Sequence, residues 1–325
     1  MELLPWSSPS WNGLVMLAFF LAGCAAYLAS PPQDLKVLAT THDVASVVQA
    51  VGGDAVEVET LVPAGADLHK VLPRASMLLR LRRADAVVSM GFGYEHAFLP
   101  ALLQKVGVRE LQLEGSRHFH GEKVAIIPLE VPSKLDRSLG VELHPFGNPH
   151  WNTDPARMRL YAAGVRDFLI RLAPENKGAI SDNWARWDAE MDRLLTHWRA
   201  WLKPVQGKPL TSYHRSWVYF SQQFGFELAG EIESKPGIAP SARRLGELAK
   251  TFRNKGVQLL LMEPWYSETR LGDFVTASGV TLIKKNSMSS GEGYLVWMRG
   301  LVEAVAEVYG LPEPLLESRD VIPIQ

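Results

Sequence analysis

Cysteine is almost missing from this chain. Its 325 residues include one, Cys24, so no disulfide can form within it. An excess of charge is missing as well: 34 Lys and Arg face 35 Asp and Glu, for a net charge of −1. Nothing in that balance points to nucleic acid or an anionic surface as partner. Gly-x-Ser-x-Gly, Walker and His-Glu-x-x-His patterns do not occur, which removes the commonest signatures of serine hydrolases, nucleotide binders and helical zinc proteases. Long apolar runs are confined to one, residues 13–29 (GLVMLAFFLAGCAAYLA), at the short limit for a membrane-spanning helix. What remains, 47% hydrophobic and 21% charged, is the composition of a globular body, long enough for two domains.

The run 13–29 contains Leu21-Ala22-Gly23-Cys24 and resembles a bacterial lipoprotein signal, in which the Cys becomes the lipidated first residue. Residues 1–12 carry no Lys or Arg, a departure from export signals. The other reading is an uncleaved anchor helix. Either way the body is expected to be exported and tethered, in the periplasm or on the outer face of the cytoplasmic membrane.

Past a linker at Ser30-Pro31-Pro32-Gln33 the pattern alternates. Apolar runs at 37–40, 56–62, 86–90 and 124–128 predict buried strands, and periodic segments at 44–51, 76–83 and 95–106 predict helices between them. Asp154-Pro155 predicts a helix start, with Asp as cap and Pro in the first turn. A longer helix follows at 177–203, with Trp184, Trp187, Met191, Leu194, Trp198 and Leu202 on one stripe. At 1.5 Å per residue it spans roughly 40 Å, the length of a strut beside two lobes. The alternation then restarts, with strands at 209–213, 227–232, 257–262 and 280–284, and helices at 215–224, 241–254, 268–277 and 294–309. The expected fold is α/β: two (β/α) lobes with parallel sheets joined by one long rigid helix. The divisions are 1–33 for signal and linker, 34–176 for the first lobe, 177–203 for the linking helix and 204–325 for the second lobe.

In parallel sheets, ligands bind beyond the carboxyl ends of the strands. His69 follows the second strand, His214 ends the first strand of the second lobe, and His150 lies in the loop before the Asp154 helix. Glu263 ends the third strand of the second lobe and Asn286 follows the fourth. All five can face one cleft. Three neutral imidazoles form a nitrogen site of the kind Zn2+ prefers. Singly, each has a plain structural reading: a loop His, a stacked His, a helix cap, or a Glu paired with a base. The joint placement is what favours a metal site. His118 and His120 read as a short exposed pair, a solvated loop in preference to a weak collecting site for metal, His144 as a loop or supporting residue, and the run Arg80, Arg82 and Arg83 as a solvated helix end. His42, His96 and His197 receive no role.

The body resembles, nearly end to end, the metal-binding solute-binding proteins of ABC importers. The resemblance rests on Val51-Gly52-Gly53-Asp54, Gly65-Ala66-Asp67-Leu68-His69, Leu81-Arg82-Arg83-Ala84-Asp85-Ala86 with Gly91-Phe92-Gly93-Tyr94-Glu95, Gly147-Asn148-Pro149-His150-Trp151 with Asp154-Pro155, Tyr213-His214 with Phe224-Gly225, and Ser234-Lys235-Pro236-Gly237-Ile238-Ala239-Pro240-Ser241. It implies two lobes bridged by one helix, a metal held between them, and His69, His150 and His214 as its ligands. A His at the third position is similar to the zinc branch rather than the manganese branch. The implied partners are an ABC-type metal permease and its ATPase, with the chain acting as a lipid-anchored monomer. Many members have an Asp after the last strand, where this chain has Asn286. The fourth position therefore falls to Glu263, which strand-end geometry favours, to water, or to Glu292 on a rearranged loop. The expected function is capture of Zn2+ outside the cytoplasmic membrane. An exported zinc hydrolase, with three His and a water, is the alternative, and an adhesin built on the same lobes is a third.

Overall fold

The computed structural model describes residues 34–134, 144–233, 235 and 237–314, without the side chain of Arg270. The expected signal, linker and Cys24 lie outside the described residues. Two parallel sheets of four strands each form the scaffold. The first contains β1 (Leu35–Ala39), β2 (Val56–Thr60), β3 (Ala86–Val88) and β4 (His118–Phe119) in the order β2-β1-β3-β4. The second contains β5 (Pro209–Ser212), β6 (Glu227–Glu231), β7 (Leu259–Met262) and β8 (Thr281–Lys284) in the order β6-β5-β7-β8. The two halves thus repeat one winding order. Helices cover both faces of a parallel sheet, so central strands lose the apolar–polar alternation. The strands β3 and β7 are buried at every residue, whereas edge strand β2 alternates.

The linking helix runs Lys177–Leu202, 26 residues. It buries Ile180, Trp187, Met191, Leu194, Leu195, Trp198, Trp201 and Leu202, the stripe expected from steps of three and four plus its neighbours. Trp184 is half-buried instead, under the Arg166 guanidinium at 4.0 Å. The strut packs on helix Pro155–Leu172, on helix His42–Gly52 and on helix Tyr294–Val308. One hydrophobic cluster consequently runs without a break from Val37 and Val88 through Trp198 to Trp217, Leu259 and Trp297. Helix Pro155–Leu172 begins as its sequence requires: the Asp154 carboxylate accepts from the Ala156 N–H at 2.8 Å, and Pro155 fills the first turn.

Three expectations are corrected. Residues 124–128 are not a strand; the fourth strand is His118–Phe119, paired Val87↔His118 and Val88↔Phe119. The Ile126 N–H bonds the Val124 carbonyl at 2.8 Å, which folds the chain into a tight turn, and Pro128 has no N–H to give a ladder. The helix expected from residue 95 starts at Leu99, because the Glu95 carboxylate turns back to accept from Met90 N–H at 2.7 Å, Gly91 N–H at 3.2 Å and the Thr40 hydroxyl at 2.6 Å. Arg80 is no solvated helix end: its guanidinium donates to the carbonyls of Thr60 at 2.7 Å and Leu61 at 3.1 Å, closing the end of β2. Arg82 and Arg83 are exposed, as expected. Among the described residues no helix is long and apolar enough to cross a membrane.

Candidate metal centre

The carboxyl ends of the strands supply the site. Across the second sheet the order β6-β5-β7-β8 lines up, just past each strand, Glu233, His214, Glu263 and Asn286. From the first half come His69, in the single turn Leu68–Lys70 after β2, and Tyr94, after the turn that follows β3. His150 lies in the approach to helix Pro155–Leu172.

Each histidine is locally fixed. The His69 N–H is capped by the Asp67 carboxylate at 3.1 Å, and buried Leu68 pins the turn. His150 is followed by Trp151, which is fully buried, lies against Tyr161 at 4.9 Å and donates its indole N–H to the Met90 carbonyl at 3.2 Å. His214 leaves β5 and is followed by the fully buried Trp217.

The three rings form a triangle. Their centroids lie 5.4 Å apart along each of the three sides, and their ligand atoms fall within 4.8 Å of one another. The two Nε2 atoms of His69 and His150 are 3.4 Å apart. Zinc–nitrogen bonds of about 2.0–2.1 Å at the tetrahedral angle put two ligand nitrogens roughly 3.3–3.4 Å apart. His150 and His214 are buried and His69 is partly buried. Burial first, and then the neighbouring imidazoles, hold His69 and His150 well below the usual histidine range. Both rings are therefore neutral near pH 7 and keep a lone pair for a metal.

Two of the three rings have their orientation set from behind. Asn148 Oδ1 accepts from the His150 backbone N–H at 3.0 Å and from His150 Nδ1 at 2.8 Å. Asn148 Nδ2 donates to Glu130 at 3.1 Å and to the Arg215 carbonyl at 2.8 Å. The backbone N–H can only donate, so it fixes which side of the amide is oxygen. His214 Nδ1 donates to Glu233 Oε2 at 2.8 Å. With Nδ1 protonated in both rings, Nε2 is the lone-pair nitrogen of each.

The remaining expected residues divide. Glu263 is fully buried at the end of β7, and among the described residues neither of its oxygens makes a well-formed hydrogen bond, Ser216 being the polar group nearby. Burial pushes its carboxyl up to about 7, against the opposing pull of His214 and Ser216. It stands beside the mutually close trio and is not part of it. Asn286 is buried; its Nδ2 donates to Ser290 Oγ at 3.3 Å, and its Oδ1 has no partner among the described residues. Glu292 is exposed and accepts from the Ser290 N–H at 2.7 Å, within its own loop.

The expected exposed pair, His118 and His120, is buried. His118 bonds Ser89 Oγ at 2.9 Å and the Leu111 carbonyl at 3.0 Å, and burial pushes it down to about 3. His120 bonds Glu122 at 2.6 Å and the Leu113 carbonyl at 3.1 Å. All four ring nitrogens are used in holding an edge strand, so the pair is structural. His144 lies with its ring 5.0 Å from His69, and exposed His96 stands 6.2 Å from the same ring.

Sequence reasoning passed over Tyr94, Asn148 and Glu233. The Tyr94 ring packs 4.8 Å from His150 and 5.4 Å from His69. Its turn is tight: Gly91, Phe92 and Gly93 all have positive φ, and a Cβ on Gly91 would lie 1.9 Å from Glu122 Oε2.

The sequence profile of the family described as zinc-uptake complex component A, periplasmic, matches residues 37–308. The high-affinity zinc uptake system protein ZnuA of Yersinia pestis is 27% identical over 271 residues, which is 79% of this chain and 83% of that one. The zinc-binding lipoprotein AdcA of Streptococcus pneumoniae is 23% identical over 314 residues, 93% of this chain but 61% of that longer protein. A crystal structure of ZnuA superposes with a TM-score of 0.71 at 22% identity, covering 85% of this chain and 99% of the other. That last likeness speaks for the fold.

Proposed function

The chain belongs to the family of periplasmic zinc-uptake component A, and on that premise we propose that His69, His150 and His214 capture Zn2+ outside the cytoplasmic membrane for delivery to an ABC permease and its ATPase. The observation that carries the site is the triangle of imidazoles with 5.4 Å sides, in which two Nε2 atoms already stand 3.4 Å apart. That is the spacing a tetrahedral zinc asks of its ligands, so little rearrangement accompanies binding. Lobe 34–176 contributes His69 and His150, lobe 204–325 contributes His214, and the linking helix 177–203 holds their spacing. The shared core beneath them limits hinge motion between the halves.

Glu263 is the fourth group. A wholly buried carboxylate with no hydrogen bond is costly, and a dication beside it removes that cost. Because Glu263 stands outside the close trio, it acts through a water that it orients on the ion. Three histidines and one carboxylate leave a net +1. The named relatives are uptake and zinc-binding proteins, which supports capture over hydrolysis. The chain works as a monomer tethered through Cys24, the last residue of Leu21-Ala22-Gly23-Cys24. Zinc titration in competition with a chromophoric chelator tests the site: His150→Ala weakens binding at least tenfold, about 1.4 kcal/mol. An unchanged titration curve removes His150 from the site and this reading with it.

A further inference from the structure

Three neutral imidazoles bring no negative charge to a buried dication. His150 and His214 are 2% and 4% exposed, and a charge held there needs an opposite charge close by. We propose that Glu233 is a positioning residue that adds a second negative charge to that of Glu263, delivered through the imidazole of His214, making His214 the strongest donor of the three. The inference rests on the metal-site reading above and assigns the charge balance within it.

The geometry is built around that carboxylate. Glu233 is 5% exposed and lies two residues past β6. The β5–β6 ladder continues beyond the strands: Ile232 N–H bonds the Ser212 carbonyl at 2.9 Å, and Glu233 N–H bonds the Tyr213 carbonyl at 3.1 Å. Those bonds set Glu233 beside the residue that precedes His214. Arg244 holds the same stretch from the other side, donating to the carbonyls of Glu231 at 3.0 Å, Ile232 at 3.2 Å and Glu233 at 2.9 Å. Glu233 Oε2 then accepts from His214 Nδ1 at 2.8 Å and from the Gly237 N–H at 3.3 Å.

The site contains its own comparison. His150 Nδ1 also has an oxygen at 2.8 Å, but that oxygen is the neutral amide of Asn148. His69 Nδ1 has no hydrogen-bond partner among the described residues. An amide oxygen fixes a ring and its tautomer. A carboxylate does that and also draws the Nδ1 proton toward itself, which raises electron density at Nε2. The three ligands are therefore alike in geometry and unequal in donor strength.

Two variants separate charge from orientation. Glu233→Gln keeps an oxygen acceptor for Nδ1–H and loses the charge, whereas Glu233→Ala loses both. The expected result is that Glu233→Gln weakens zinc binding by roughly 10–100-fold, the range for such supporting groups. The melting temperature of the metal-free protein should stay within about 2 °C of the parent, and the visible ligand-field bands of the Co2+-loaded form should shift. Two results overturn the proposal: a Gln variant that binds zinc within about threefold of the parent, or a loss of affinity matched by a fall in the metal-free melting temperature. A parent chain that binds no zinc would instead refute the metal-site reading on which this rests.

Discussion

Replacing Asn148 with Ala tests how the two halves of the site are joined. The side chain makes four hydrogen bonds: from His150 N–H at 3.0 Å, with His150 Nδ1 at 2.8 Å, to Glu130 at 3.1 Å and to the Arg215 carbonyl at 2.8 Å. It therefore ties His150, a proposed ligand of the first half, to Arg215, which follows the proposed ligand His214 of the second. The local backbone has its own supports, since Asn148 N–H bonds the Leu129 carbonyl at 2.8 Å and Tyr219 Oη donates to the Asn148 carbonyl at 2.5 Å. The variant should thus fold. Each lost bond is worth about 1 kcal/mol net, and stranded buried partners cost somewhat more. Water reaches some of them, which leaves an expected loss of about 2–4 kcal/mol in urea unfolding of the metal-free chain. The His150 ring also loses the group that fixes its tautomer, so zinc affinity should fall roughly 10–100-fold, or about 1.4–2.7 kcal/mol. Urea unfolding and chelator competition on the same preparation separate the two effects. Zinc affinity within about threefold of the parent, alongside a clear loss of stability, would show that Asn148 braces the fold and does not orient His150.

Two further outcomes follow from buried carboxylates. Burial pushes the fully buried Asp43 up to about 6, against hydrogen bonds from the Ser289 N–H and from Asn152. Its unfolded value is near 3.9, so the fold favours the protonated form; that contribution is whole below about pH 4 and is lost as pH rises through about 6. Two pKa units correspond to about 3 kcal/mol. The stability of Asp43→Asn relative to the parent should therefore improve by about that amount between pH 4 and 7, and a difference that stays flat with pH refutes the assignment. Glu263→Gln should make the metal-free chain more stable at neutral pH, by removing an unpartnered buried charge, while weakening zinc binding about tenfold. Unchanged zinc affinity would remove Glu263 and its water from the proposed site.

How far the sequence carries depends on which interactions are local. Strands β5 to β8 fall within two residues of their expected bounds because each is an apolar run closed by a turn. Strand β4 escapes because His118–Phe119 is two residues long and exists only through its pairing with Val87 and Val88. The apolar stretch after it is used differently: Val124 and Phe119 press onto helix Pro155–Leu172 at Gly164, where a Cβ would lie 2.4 Å from Val124 Cγ1. His118 and His120 look solvated in sequence because no local pattern marks the carbonyls of Leu111 and Leu113 as their partners, and Ser89 is a neighbour of His118 only in space. The histidine trio is legible because parallel sheets deliver residues past their strand ends to one edge. The same rule, carried one strand further, reaches Glu233. His214 leaves β5, and the sheet order β6-β5-β7 makes the ends of β6 and β7 its two neighbours. Glu233 and Glu263 occupy those ends, so one carboxylate stands on each side of the histidine. On the proposed reading, the sheet order itself brings charge to a bound ion, in place of an Asp after β8.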